Sequence, residues 1–394
     1  MKKIGIYTVT KVYNYGTKLQ AYAMQEIFKQ RGFYAEILTL SERKGILAKI
    51  KYYLKYYLLC LCFPYKKFTI NKNYEQYINC QYNGLPNKNL RVLLKKRFEA
   101  LDLFDSKYHI VHFIDKQSLK EHTKSFVVVV CGSDQIWHPI LNRNDFWTLQ
   151  LVSDGVRRMS YAPSLGVDEL PESAISFFKK VLANIDYISV RELSGMHLLQ
   201  NLTSKPVSVV LDPTLLVGRP VWDKILIDRP ELTRNEYCLC YLLGSNPEHR
   251  KIISKTAKQL GLIVYNFSHF KEYNAADEEL EGQHLYDISP TEFVGLVSKA
   301  KFVITDSFHC SVFSIMYHVP FMVLLRYSTS DHMSTNSRIY SLLGQLGLDS
   351  RIYDQSRDIE DIVNTNINFE EVEFLLAKKR EESNRFIDEA LKGL

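Results

Sequence analysis

The chain has 394 residues, 46% of them hydrophobic and 24% charged, with only 17 glycines and 12 prolines. This excludes a collagenous or largely disordered chain and is enough for two domains with cores of their own. The net charge of +6 is uneven, because residues 41–124 carry 17 Lys and Arg against 7 Asp and Glu while the remainder is mildly acidic.

In chain order, residues 3–9 read as an apolar strand, Asn14-Tyr15-Gly16 as a polar turn, and 17–30 as a helix with apolar spacing at Leu19, Ala23, Met24 and Ile27. Residues 33–38 form the next strand, giving the start of a parallel α/β sheet. The basic stretch 41–124 follows as an insertion. Within it, 44–67 has six lysines, no acid and the run Tyr52-Tyr53-Leu54-Lys55-Tyr56-Tyr57. That composition suits a helix lying on an anionic membrane surface, and equally a basic helix packed on the protein's own core. It contains no recognisable nucleic-acid module, so no nucleic acid is expected as a partner.

Residues 126–130 are a continuous apolar run of the kind buried on both faces of a parallel sheet, ending in Cys131-Gly132-Ser133-Asp134. Further strands are predicted at 159–162, 187–190 and 207–211, each ending in a polar cluster: Pro163-Ser164, Arg191-Glu192 and Asp212-Pro213-Thr214. In open parallel sheets ligands bind at the carboxyl ends of strands, so these clusters are expected along one edge. A domain boundary is placed near residue 216, giving domains of 1–216 and 217–394. The pattern then restarts with strand 237–243, helix 247–260, strand 262–267, a helix opened by Ser289-Pro290-Thr291-Glu292, strand 302–305, a short helix 310–317 and strand 321–325. Residues 369–394 read as a long amphipathic helix.

No apolar run approaches the roughly 20 residues of a membrane span. Residues 4–9 are too short for a signal-peptide core and precede Lys11, so the expected location is the cytoplasm, with peripheral contact at the membrane through 44–67. The seven cysteines are an odd number with no Cys-x-x-Cys pair and no zinc-like partners. They read as reduced core residues, and no metal is expected.

Chemistry concentrates in Thr305-Asp306-Ser307-Phe308-His309, where a strand gives way to a helix. A helix N-terminus seats anions, and a histidine there can bind an anion or deliver a proton; the plain alternative is a local cap. Arg191 sits at a similar junction, suited to carboxylate or phosphate, or to a structural ion pair. Asn14 with Gly16, and Gly132 with Ser133 and Asp134, permit close backbone approach to a ligand. Phosphate-loop, Gly-x-Gly-x-x-Gly, His-Glu-x-x-His and Gly-x-Ser-x-Gly motifs are absent.

Five ordered motifs carry a resemblance: Asn14-Tyr15-Gly16 with Leu19-Gln20-Ala21-Tyr22-Ala23, Gly132-Ser133-Asp134-Gln135-Ile136-Trp137, Ser189-Val190-Arg191-Glu192, Asp212-Pro213-Thr214-Leu215 and Thr305-Asp306-Ser307-Phe308-His309. In this order they resemble the polysaccharide pyruvyl transferase family. The resemblance implies an α/β fold of two Rossmann-like domains facing across a cleft, glycosyltransferase-B-like, with the last helix crossing back to the first domain. It implies transfer of pyruvate from phosphoenolpyruvate to two hydroxyls of a sugar in a lipid-linked precursor of a bacterial surface polysaccharide, such as capsule or exopolysaccharide. Phosphate is released and no cofactor is needed. His309 and Arg191 take the catalytic and donor-binding roles, with Asn14, Gly16, Ser133, Asp134, Asp306 and Ser307 lining the substrates. Many relatives have Arg-Leu-His where this chain has Ser307-Phe308-His309, and Arg326 or Arg338 is the candidate for the missing cation. The alternative is a glycosyltransferase of the same architecture using a nucleotide sugar.

Overall fold

The structure is a computed structural model describing residues 1–40, 88–140, 145–267, 275–328, 334–354 and 356–394. The tyrosine-rich basic segment 44–67, with Cys60 and Cys62, lies outside the described residues, as does Cys80.

Two parallel sheets organise the chain. The first holds β1 (Lys3–Tyr7), β2 (Tyr34–Leu40), β3 (Ile110–Phe113), β4 (Val128–Cys131) and β5 (Arg157–Ser160) in the order β3-β2-β1-β4-β5. A bridge between Met159 and Tyr187 extends it to the parallel pair β6 (Ile188–Val190) and β7 (Val207–Val209). The second contains β8 (Tyr237–Tyr241), β9 (Ile263–Phe267), β10 (Gln283–Leu285), β11 (Phe302–Thr305), β12 (Phe321–Leu324) and β13 (Ile352–Tyr353), ordered β10-β9-β8-β11-β12-β13. In both, the chain starts at a central strand, steps outward twice, then returns to the other side of its starting strand. The order reverses at β1/β4 and at β8/β11, and such switch points open a crevice at the strands' carboxyl ends.

The sequence explains the local elements. Every residue of β4, β8 and β11 is buried, as the continuous apolar runs require of strands covered on both faces. The helix Tyr15–Lys29 starts where the Asn14 side chain accepts from Thr17 N–H. The helix Pro290–Lys299 has a complete capping box between Ser289 and Glu292, and the helix Pro247–Leu260 stops at Gly261, whose φ of 66° suits a residue without Cβ.

One expectation is corrected. The described part of the basic stretch, from residue 88 on, is not an insertion: it supplies the helix Lys88–Phe104, strand β3 and the helix Lys116–Thr123. β3 pairs in register with β2, Ile37 opposite Ile110. It is an edge strand of four residues with none fully buried, so its hydrophobic signal is weak.

The two Rossmann-like domains face each other across a cleft and are joined by an aromatic contact. The Tyr15 ring stacks on Phe293 at 4.7 Å, and its buried hydroxyl donates to the Ile288 carbonyl at 2.6 Å. The helix Phe369–Leu391 crosses back to the first domain. There Ser383 Oγ accepts from Leu211 N–H at 2.9 Å, and Arg157 donates to the Ala390 carbonyl at 2.7 Å. Among the described residues, no helix is long and apolar enough to cross a membrane.

Candidate active site

The polar clusters that end β4, β6 and β7 converge on Asp212. Its Oδ1 accepts from Thr214 N–H (3.0 Å) and Oγ1 (2.6 Å), and its Oδ2 from Ser133 Oγ (3.1 Å) and Arg191 Nη1 (2.7 Å). Burial opposes its charge, but His309, Arg191 and the Thr214 hydrogen bonds hold its pKa below the usual carboxylate range. Arg191 is held a second time by Glu192 Oε1 at 3.2 Å, and its guanidinium lies 4.2 Å from the centroid of the Phe308 ring. The buried Nη2 of Arg191 has no hydrogen-bond partner among the described residues.

His309 reaches this cluster from the other domain. It occupies the first turn of the helix Phe308–Met316, where Ser307 Oγ accepts from Cys310 N–H. Its Nε2 lies 3.8 Å from Asp212 Oδ2, and that nitrogen is buried with no hydrogen-bond partner among the described residues. Gly16 makes the approach possible: a Cβ there would lie 2.1 Å from His309 Nδ1. Burial is the main influence on the imidazole and lowers its pKa, with Asp212 and Asp134 opposing and Arg191 and Arg338 reinforcing the shift. The free site therefore holds a neutral histidine between carboxylates and guanidiniums, and an incoming anion would favour the imidazolium.

A cavity of about 350 Å³ opens in front of His309, with Asn14, Thr17 and Asp134 from the first domain and Ser307, Arg326 and Arg338 from the second. Asp134 is oriented by Thr17 Oγ1, which donates to its Oδ2 at 2.8 Å. Burial opposes its charge as well, but His309, Arg191 and Thr17 lower its pKa on balance, so it is an ionised carboxylate facing the cavity. The two cationic candidates differ. Arg326 is bound to Asp306 through side-chain contacts of 3.3 Å and through the Asp306 carbonyl at 3.1 Å. Among the described residues, Arg338 bonds only to Thr335, at its carbonyl (3.1 Å) and Oγ1 (2.8 Å), and no carboxylate forms an ion pair with it. Burial and the nearby Arg191 and Arg326 push its pKa down to about 10, a cation that an anionic ligand would relieve.

Asn14, Asp134, Ser307, His309, Arg326 and Arg338 thus share one cavity, while Gly16 gives His309 its room. Ser133 and Arg191 lie behind, on Asp212. Asp306 instead accepts from Leu243 N–H (2.6 Å) and Gly244 N–H (2.7 Å), tying the loop after β8 to the end of β11. Sequence reasoning missed Asp212 and Thr17 as site residues. Asp212 stands in a motif but reads as an ordinary helix cap before proline, which it also is.

The sequence pattern of the polysaccharide pyruvyl transferase family matches residues 14–328. The chain belongs to that family. The matched stretch contains every residue of the Asp212 cluster and all of the cavity candidates except Arg338. A search of curated proteins found no match. Among solved structures, the chain is similar to the glycotransferase of kitacinnamycin, with 11% identity over 98% of each chain and a TM-score of 0.49. It is also similar to S. aureus MnaA in its structure with UDP, with 12% identity over 98% of this chain and 92% of that one and a TM-score of 0.49. MurG of Acinetobacter baumannii shows 13% identity over 100% of both chains, with a TM-score of 0.44.

Proposed function

We propose that this pyruvyl transferase uses phosphoenolpyruvate as donor and builds a cyclic ketal on two hydroxyls of one sugar, releasing phosphate. The observation that carries this reading is the pairing, in one cavity, of Arg338, which has no carboxylate ion-pair partner among the described residues, with His309, whose Nε2 has no hydrogen-bond partner there. A donor with a phosphate and a carboxylate supplies the two anionic groups such a cavity favours. Arg338 takes one of them, and the negative charge beside His309 raises its pKa so that it carries a proton.

The chemistry then proceeds through named groups. His309, or an acid it positions, delivers a proton to the methylene carbon of the enol, and the adjacent carbon becomes an oxocarbenium-like centre. A sugar hydroxyl oxygen adds to that carbon and gives up its proton, for which Asp134 is the nearby ionised acceptor. The carbon–oxygen bond to phosphate breaks, the departing phosphate taking the proton held by Asp134, and the second hydroxyl adds to the oxocarbenium-like carbon so formed, its proton returning to His309, to close the ketal. Asp212 keeps Arg191 in place throughout and stands 3.8 Å from the imidazole as a counter-charge to its protonated form. A lipid-linked acceptor, and membrane contact through 44–67, remain part of the proposal on composition alone.

The test is thermal unfolding with phosphoenolpyruvate and, separately, with nucleotide sugars, for the wild type, His309→Ala and Arg338→Ala. Ligand at 100 times its Kd stabilises the native state by about 2.7 kcal/mol. A shift with phosphoenolpyruvate that both substitutions abolish supports the reading. A shift with nucleotide sugars alone replaces it with glycosyl transfer.

A further inference from the structure

A second cavity, of about 410 Å³, adjoins the one in front of His309, and Val9 and Trp147 belong to the walls of both. It lies at the carboxyl ends of β1 and β2, and its lining includes Thr10, Thr39, Phe146 and Trp147. The aromatic wall is held rigidly. Phe146 lies flat on Tyr7, with centroids 4.3 Å apart and planes 8° apart, and meets Trp147 edge to face at 4.6 Å. The Trp147 carbonyl accepts from Trp137 Nε1 at 2.8 Å, and the Tyr7 hydroxyl donates to the Leu151 carbonyl at 3.3 Å. Lys116 and Asp145, also in the lining, form a half-exposed ion pair at 3.1 Å.

We propose that this cavity is the acceptor subsite and takes a single hexopyranose ring, its apolar C–H face on Trp147 and Phe146 and its hydroxyl edge toward the threonines and the Lys116–Asp145 pair. The inference deepens the pyruvyl-transfer reading and rests on it for the direction in which the sugar must face. A pyranose has an apolar face of C–H bonds and a rim of hydroxyls, and a cavity lined by fixed rings together with hydroxyl and charged groups offers partners to both. A small anion such as phosphate would gain nothing from the rings. The volume lies within the range of small-molecule sites. Since Trp147 belongs to both cavities, a ring stacked on it is adjacent to the space in front of His309, where two of its hydroxyls have to meet the activated carbon.

The experiment is saturation-transfer NMR on the full chain with the methyl glycosides of glucose, galactose, mannose and N-acetylglucosamine, and with uridine as a planar competitor. The expected result is transfer from protein aromatic protons to the axial ring protons of at least one glycoside. Binding should weaken about tenfold or more in Trp147→Leu, which removes a ring, and in Lys116→Ala, which removes the charge of the rim. Lys116→Ala should keep the phosphoenolpyruvate-induced thermal shift of the wild type. No transfer from any glycoside to the folded wild type, binding unchanged in both variants, or displacement of the glycoside by uridine would each overturn the proposal. A glycoside that binds at Trp147 while phosphoenolpyruvate has no effect would leave the sugar site standing and remove the donor. Phosphoenolpyruvate binding with no glycoside binding would do the reverse.

Discussion

Gly16→Ala isolates the contact that brings the two domains' chemistry together. Gly16 is the second residue of the helix Tyr15–Lys29 and has no positive φ, so alanine is tolerated by the backbone and would by itself favour the helix by up to about 1 kcal/mol. The added methyl, however, would lie 2.1 Å from His309 Nδ1, 2.4 Å from Cγ and 2.9 Å from Cβ. Ordinary contact begins near 3.4 Å, so the ring has to retreat by more than about 1 Å. Two of the three clashing atoms are close to the His309 backbone, and a rotation of the ring alone does not relieve them. The overpacking should cost about 1–3 kcal/mol, partly offset by helix propensity. A displacement of about 1 Å at a catalytic group should also lower activity roughly 100-fold. Urea denaturation of wild type, Gly16→Ala, His309→Ala and the double variant measures the coupling. The expected result is that Gly16→Ala destabilises the wild type but is neutral or stabilising once His309 is alanine. Equal effects in both backgrounds would refute the reasoning.

The two arginines should separate stability from binding. Arg191→Ala leaves Asp212 buried and ionised without its main partner and should cost about 3–5 kcal/mol in urea melts. Arg338→Ala removes a cation that burial and two neighbouring arginines disfavour, so it should leave the free protein at least as stable as the wild type in the same melts while abolishing the phosphoenolpyruvate shift. His138 is buried, and burial, helped by Arg338, lowers its pKa to about 4. Below its unfolded pKa the unfolded chain binds the proton first, so stability is full above about pH 6.5 and falls by about 3 kcal/mol as the pH drops toward 4. His138→Phe should flatten that part of the pH profile, and an unchanged slope would contradict the assignment. Tyr15→Phe removes the hydrogen bond to the Ile288 carbonyl but keeps the stack on Phe293, and should cost about 1–2 kcal/mol in the same assay.

Much of the fold is legible in the residues because parallel strands and capped helices are local matters. The strand at 302–305 and the helix at 247–260 follow directly from a continuous apolar run and from proline and glycine at the ends. The gathering of polar clusters at one edge follows from the rule that places sites at the ends of parallel strands. β3, β10 and β13 are short or lie at sheet edges, and their signals are too weak to separate from loop. The helix Lys88–Phe104 and β3 are concealed further by a lysine-rich composition that suggests an appendage rather than a sheet.

The α/β class, the family and the residue types brought to the cleft are all carried by local runs and ordered motifs. Arg326 and Arg338 look alike as residue types, and the tertiary structure distinguishes them because Asp306 binds one while the other bonds to Thr335. Asp212 reads as a cap, and folding also makes it the anchor of Arg191 and the neighbour of His309. Periodicity and capping depend on residues a few positions apart. Which charge is neutralised, and which is left facing a cavity, depends on groups far apart in sequence that meet only when the two domains close on each other.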